Sequence, residues 1–434
     1  MSEVVIVAGT QWGDEAKGKV ATHEAAGASL AIRSTGGNNA GHTVKYEGKK
    51  FALNIVPGAL VHGVETVIGP GVVINPEVLL ENMKQLMDAG VEVTPDLLHV
   101  SGQAHVIFPY HMDLDALYEG KKADPIGTTK KGIGPCYMDK ANRTGIRMYD
   151  LLLPVDELRD KIEQAVSVHN VLFENTEGFE DKIVTKQKAT HLAVMYKKYG
   201  VKLRPYITDT GCIVADVIKS GGKIVIEGAQ SYRLDLDHGD YPDVTSSSPN
   251  PSGALSGAGI GPNVNAKVIG VAKAYTSRVG KGPFPTEQDN EVGECIRKLG
   301  FEYGTTTGRP RRCGWPDVVL LQDCAVPMGV TCWSLNHVDT LGKIGSQIGY
   351  IDVCVAYMYK GKKIHYVPQG IKPGEIEPVY ERYNWAWDID PEKCKTFEDL
   401  PSQAKEYIEL IEDRTGIPVK YIGIGPADDE VIVR

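Results

Sequence analysis

Glycine-bounded loops carrying lysines, arginines, hydroxyls and lone carboxylates recur along this 434-residue chain, and such side chains suit phosphate chemistry. The first, Gln11-Trp12-Gly13-Asp14-Glu15-Ala16-Lys17-Gly18-Lys19, follows the apolar run Val4 to Ala8 and leads into a helical stretch from Val20 to Ala26. Strand, glycine loop and helix together make a phosphate cradle. Backbone N–H groups and the positive helix end face the anion, and a lysine adds mobile charge. No Gly-Lys-Ser/Thr closes the loop, so the spacing is not that of the common P-loop. Asp14 would repel phosphates unless it binds a metal or takes a proton. A solvated turn is the competing reading of the same residues.

Four further loops extend the pattern. Gly36-Gly37-Asn38-Asn39-Ala40-Gly41-His42-Thr43 combines glycines, which admit a ligand close to the backbone, with Asn39 and His42, which could reach it. Histidine has the unperturbed pKa nearest neutrality, so His42 suits proton donation to a phosphate oxygen. Ile126 to Pro135 carries Thr128, Thr129, Lys130 and Lys131, with Arg143 shortly after, a set that suits a monophosphate. Glu227-Gly228-Ala229-Gln230 offers in Gln230 a donor and an acceptor for a base edge. It continues through Asp235-Leu236-Asp237-His238, which reads as a polar turn more readily than as a metal site, to Thr245. Densest is Gly304-Thr305-Thr306-Thr307-Gly308-Arg309-Pro310-Arg311-Arg312, with three guanidinium groups whose planar forks match carboxylate or phosphate. Together these loops predict a site for two phosphorylated ligands, or for one nucleotide plus a small dicarboxylate. Asp14 and His42 are its titratable pair.

The elements that must position them alternate. Strands are expected at 4–8, 30–33, 66–69 and 223–227, and helices at 76–87, 158–171, 188–199 and 401–415. That order implies an α/β fold: a large, mostly parallel central sheet flanked by helices, P-loop NTPase-like, forming one domain over residues 1–434. A net charge of −9 argues against general affinity for nucleic acid or anionic membrane, so cations must be gathered locally. The chain has no basic, apolar leader and no run of about 18 apolar residues, which points to the cytoplasm. Its eight cysteines are scattered without a Cys-x-x-Cys pair and read as free thiols.

Several of these motifs carry a family resemblance. Gln-Trp-Gly-Asp-Glu-x-Lys-Gly-Lys, Gly-Gly-x-Asn-Ala-Gly-His-Thr, Glu-Gly-Ala-Gln, Leu-Asp-x-Asp-His-Gly, Arg-Val-Gly-x-Gly-Pro-Phe-Pro-Thr-Glu (278–287) and Thr-Thr-Gly-Arg-x-Arg-Arg resemble adenylosuccinate synthetase, in order, from residue 4 to Pro426. The resemblance implies a GTP-driven ligase that joins IMP to L-aspartate through a 6-phosphoryl intermediate. It implies that Asp14 takes the N1 proton and, with the Gly41 carbonyl, holds one Mg²⁺ per subunit. His42 would stabilise the phosphoryl group in transfer, and Gln230 would face the base. It places Gly13, Glu15, Lys17, Gly18, Lys19, Gly41, Thr43 and Arg311 at the GTP phosphates, and His337, Asp339, Gly423, Gly425 and Pro426 at the guanine. IMP would meet Asp14, Lys17, Asn39, Thr129, Gln230, Thr245 and Arg309, with Arg143 crossing from the other subunit of a homodimer. Aspartate would meet Thr305, Thr306, Thr307, Arg309 and Arg311.

Departures from the family pattern are specific. Ala16 replaces a loop glycine, which costs on the order of 1 kcal/mol if its φ is positive. Asn38 replaces a histidine, Lys130-Lys131 replaces Gly-Arg, Ser231 replaces glycine, Arg233 sits at a usually apolar position, and Pro310 interrupts the arginine run. His337-Val338-Asp339 replaces Lys-Leu-Asp, and Gly423 stands where the family has serine. Asp339 can accept from both N1–H and N2–H of guanine, which favours GTP, whereas the lost lysine weakens the grip on the base. Two alternatives stay open. One is a paralogue that succinylates another purine nucleotide such as (d)GMP, or uses ATP; the other is a GTP-binding regulator that ligates nothing.

Overall fold

Val4–Ala8 is apolar on both faces of the strand, so it needs cover on both, and it lies in the interior of a ten-stranded sheet. The computed structural model describes residues 2–39, 41–46, 49–122, 127–304, 308–372, 374–427 and 430–434; the side chains of 42–46, 49 and 50 fall outside that description. The sheet's strands are β1 (Glu3–Gly9), β2 (Leu30–Arg33), β3 (Thr66–Ile68), β4 (Leu98–Ser101), β5 (Ile207–Thr208), β6 (Ile224–Ser231), β7 (Asn265–Lys273), β8 (Cys332–Asn336), β9 (Val419–Gly423) and β10 (Val431–Val433). Their order is β10-β9-β8-β7-β1-β6-β2-β3-β4-β5. Every pairing is parallel except that of β9 with β10, and Val4 stands opposite both Ile224 and Ala266.

The expected α/β architecture with a large, mostly parallel sheet is therefore present. The expected helices occur as Pro76–Asp88, Val155–Glu174, Lys186–Leu203 and Ser402–Thr415. Asn75 caps the first of these by accepting from Glu77 N at 3.0 Å, and Gly416 ends the last in a left-handed turn at φ 69°. One apolar core packs around β1, β6, β7 and β8 together with the three-stranded antiparallel sheet that begins at Ile351–Tyr359. A second gathers the helices between residues 76 and 203 against β3 and β4. All eight cysteines are free thiols, with only Cys212 exposed. Among the described residues no helix is long and apolar enough to cross a membrane.

A parallel sheet presents the C-terminal ends of its strands along one rim, where loops meet. The loops following β1 (residues 10–16), β2 (34–41), β6 (from 232) and β8 (His337) all leave that rim. The candidate residues on these loops are thereby set along one rim.

Candidate active site

The loop after β1 is built around one carboxylate. Glu15 is fully buried and accepts from Gln11 N at 3.2 Å, Gly13 N at 2.8 Å, Lys17 Nζ at 2.6 Å and Ser231 Oγ at 2.7 Å. Burial would raise its pKa, but Lys17 and the Ser231 hydroxyl outweigh that and hold the carboxyl below its usual range. The loop backbone is wound to the left to allow this, with Gly13 at φ 97°, Asp14 at 60° and Ala16 at 62°. The strain expected of Ala16 is thus present, at the residue that caps the helix Lys17–Ala25.

With Glu15 turned inward, Asp14 is the carboxylate the loop presents. Its side chain is 43% exposed, and Oδ2 lies 2.7 Å from Arg311 Nη2. Arg311 Nη1 lies 2.7 Å from Glu302, whose fully buried carboxylate also accepts from Lys273 Nζ at 2.6 Å and Tyr275 OH at 2.7 Å. Burial opposes ionisation of Glu302, yet Lys273 and Arg311 bring its pKa down to about 2. The predicted phosphate loop and the predicted arginine loop are therefore joined at Asp14 and Arg311.

A second group of residues lies on the loop after β2 and the segments around it. An ideal Cβ on Gly36 would lie 2.9 Å from both Ala229 Cβ and Gln230 Oε1, so only glycine lets these loops pass, and its φ is 78°. Among the described residues, Gln230 (φ 53°) keeps Oε1 buried without a partner, as does Asn38 with Oδ1. Asn39 Oδ1 accepts from Gly37 N at 3.2 Å, and Lys131 donates to Asn38 O at 2.8 Å. Thr129 is exposed, Thr245 is half-buried and donates its backbone N–H to Leu234 O, and Arg143 is exposed at φ 67° beyond the helix Ile133–Asn142.

A third group lies beyond the phosphate loop. Asn336 Nδ2 donates to Glu15 O at 2.6 Å, and Lys19 Nζ donates to Gly425 O and Glu430 O, both at 2.8 Å. His337 starts the helix Val338–Ile348 at φ 63° with its ring edge-on to Tyr275; burial, then Lys273, push its pKa down to about 4. Asp339 follows in the first turn, 3.6 Å from Lys343. Pro426 is exposed on the loop that Lys19 holds.

The structure gives physical reasons for most of the departures. Ser231 closes the Glu15–Lys17 pair with its hydroxyl. Arg233 is buried because it pairs with Asp240 and, at 3.0 Å, with Asp323. Asp240 also takes Trp12 Nε1 at 2.7 Å and Arg278 Nη1 at 2.6 Å, so the cluster braces the start of the phosphate loop. Gly423 gives room to Asn336: any Cβ there would press into Asn336 Oδ1. Pro310 forms a bridge with Tyr303. Asp235 is a buried turn-former accepting from Asp237 N, His238 N and Asn250, which bears out the turn reading of that run.

Ala40, Thr305, Thr306 and Thr307 lie outside the described residues, as do the side chains of His42 and Thr43. Gly41 and Arg309 are exposed. A cavity of about 850 Å³ opens between residues 238–243, 280–283 and 366–372, but none of the residues expected to touch ligand lines it. Sequence reasoning missed Glu302, Lys273 and Asn336. A lone glutamate in Phe-Glu-Tyr-Gly gives little signal, and Lys273 was hidden in an apolar strand, where a buried lysine does demand an acid.

Comparison with known proteins agrees with the geometry. A family model described as adenylosuccinate synthetase matches residues 6–432. The chain is 47% identical to the adenylosuccinate synthetase of Acetivibrio thermocellus, over 99% of each chain, and 46% identical to that of Heliobacterium modesticaldum, over 100% of this chain and 99% of the relative. The solved structure of fully ligated adenylosuccinate synthetase from Plasmodium falciparum superposes with a TM-score of 0.86 at 35% identity, covering 99% of both chains. A cyanophage S-2L succinoaminodeoxyadenylate synthetase bound to dGMP and dATP shares the fold, with a TM-score of 0.60 at 20% identity over 100% of this chain and 95% of that one. With its strand-end loops, its paired Asp14 and Arg311 and its full-length relatives, the chain belongs to the adenylosuccinate synthetase family, the C–N ligases that use GTP to join IMP and L-aspartate.

Proposed function

We propose that ligation takes place where Asp14 meets Arg311, and that this chain is the IMP-specific, GTP-using enzyme rather than a paralogue for another purine or for ATP. The observation that carries this reading is the convergence of one half-exposed carboxylate and one arginine-loop guanidinium at 2.7 Å on the rim. A carboxylate of that kind can accept a proton from a purine lactam, and the guanidinium can bind the incoming amino acid's carboxylate.

Asp14 takes the N1 proton of IMP, so that charge develops on O6. O6 attacks the γ-phosphorus of GTP, the bond to the β–γ bridging oxygen breaks, and GDP leaves. His42 stabilises the transferring group. The amine of aspartate then adds at C6, the C6–O bond breaks and phosphate departs, while the amine loses a proton. Gln230, with its unpartnered Oε1, orients the base. Asn39, Thr129, Thr245 and the partner subunit's Arg143 hold the IMP phosphate, while Lys17 and Arg309 also reach IMP. Thr305, Thr306, Thr307, Arg309 and Arg311 receive aspartate.

The GTP phosphates meet Gly13, Lys17, Gly18, Lys19, Gly41, Thr43 and Arg311. Glu15 contributes its main chain, because its carboxylate is committed within the loop. His337, Asp339, Gly423, Gly425 and Pro426 receive the guanine. Magnesium favours one or two carboxylates with phosphate oxygens and water. Asp14 is the loop's outward carboxylate, so the donor set fits a Mg²⁺ held by Asp14 and the Gly41 carbonyl, where it would neutralise phosphate charge. The enzyme acts as a single-domain subunit of a cytoplasmic homodimer.

A panel of IMP, GMP, dGMP and XMP against GTP and ATP, each with aspartate and read by product mass, tests the reading. Adenylosuccinate from IMP and GTP alone is expected. A 2-amino product, preferred use of ATP, or GTP turnover that needs no aspartate would overturn it.

A further inference from the structure

Residues 302–304 and 308–311 approach one another as a narrow neck. Arg311 N donates to Glu302 O at 2.9 Å, Tyr303 and Pro310 bridge antiparallel, and Gly304 N donates to Arg309 O at 2.8 Å. At that neck one guanidinium sits between two unlike carboxylates. Glu302 is 1% exposed and tied to Lys273 and Tyr275, whereas Asp14 is 43% exposed and has no such anchoring among its described contacts. The first contact is a fixture. The second can be exchanged, since water and ligands reach Asp14 but not Glu302.

We infer that Glu302 is a positioning residue for the ligation: it grips Arg311 by Nη1 at the loop neck, so that Nη2 can pass from Asp14 to the carboxylate of the amino-acid substrate. The inference rests on the reading of Asp14 as the base and of Arg309 and Arg311 as receiving the aspartate substrate. One grip then does two things. It keeps the guanidinium aimed at the pocket, and it frees Asp14 for the purine when aspartate arrives. Without the charge on Glu302, Asp14 becomes the guanidinium's remaining carboxylate partner. The base is then held, and the pocket loses its cation.

The test is Glu302→Gln in the full-length chain, beside the double variant Lys273→Met/Glu302→Gln, which avoids stranding a buried ammonium. KM for each of the three substrates, kcat and the melting temperature are measured. A displaced substrate clamp predicts a rise of about tenfold to a hundredfold in aspartate KM and a lower kcat, with much smaller changes in the KM values of GTP, whose phosphates Arg311 also meets, and of IMP in both variants. If the single variant does not fold, the double variant decides. An unchanged aspartate KM in the folded protein, or a GTP or IMP KM that rises as far as the aspartate KM, would overturn the inference. Arg311→Leu separates the two layers. If it too leaves aspartate KM unaltered, the pocket assignment has failed; if it raises that KM while the Glu302 variants do not, only the positioning role has failed.

Discussion

Replacing Ala16 with glycine should stabilise the protein, the reverse of the usual result in the interior of a helix. Ala16 is held at φ 62°, ψ 38° between Glu15, whose carboxylate is tied into the loop, and Lys17, whose ammonium is tied to that carboxylate. An L-residue with a Cβ is about 1–2 kcal/mol worse off there than in a right-handed conformation, and glycine is spared that cost. Glycine also gives the unfolded chain more freedom, which offsets about 0.4–1 kcal/mol. A net gain of about 0.5–1 kcal/mol remains. Unfolding entropy of about 2.1 cal/mol/K per residue, over 434 residues, converts 1 kcal/mol into a melting shift of only about 1 °C. Calorimetry should therefore be run on Ala16→Gly and Ala16→Val side by side. The β-branched variant should add about 1–3 kcal/mol of strain and widen the spread. The expected order of melting temperatures is glycine, alanine, valine. A glycine variant less stable than the parent, or a valine variant equal to it, would mean that the loop does not impose a left-handed residue at this position.

Other expectations concern the chemistry and the pH dependence. Asp14→Asn should abolish turnover while nucleotide binding by calorimetry stays largely intact; a near-normal rate would remove Asp14 as the base. Arg309→Leu should raise the aspartate KM or stop the second step, and unaltered aspartate kinetics would mean its loop has another role. His42→Asn should lower kcat by about 10²-fold, the scale of a positioned proton donor, and little change would reduce it to a turn residue. Asp317 caps the helix Val318–Met328, and burial, despite the Tyr357 hydroxyl and two backbone N–H groups, pushes its pKa up to about 7 from the usual 3.8. Across that window the folded state keeps a proton that the unfolded state has lost, so this contribution to stability declines as pH rises. Asp317→Asn should flatten the decline in urea unfolding, and an unaltered slope between wild type and variant would contradict the assignment.

The parts of the fold that were legible in the sequence are those set by local pattern. Val4–Ala8 read as a buried strand because every residue is apolar, and Pro76–Asp88 read as a helix because its apolar residues recur at helical spacing behind Pro76. The loops after β1, β2 and β6 could be found because glycines crowd there with lysines, asparagines, a histidine or carboxylates. The partners of those loops could not. Arg233 reaches Asp323 across 90 positions, and Asn336 reaches the Glu15 carbonyl across 321; no local rule registers such spacings. The helix Val318–Met328 carries apolar residues nearly all round and so has no face to mark it. Glu302 and Lys273 are functional candidates only as a pair, and the pair exists only after β7 and the arginine loop have met.

The place of β1 in the sheet bears on how the protein is made. Its seven residues sit between strands that begin at positions 224 and 265, so a ribosome must supply more than half of the chain before either neighbour exists. Until then an apolar ribbon with both hydrogen-bonding edges open travels with the nascent polypeptide, a state that invites aggregation and engages chaperones. Pairing that waits on strands encoded more than two hundred residues downstream is the consequence of setting the phosphate cradle on the sheet's interior strand.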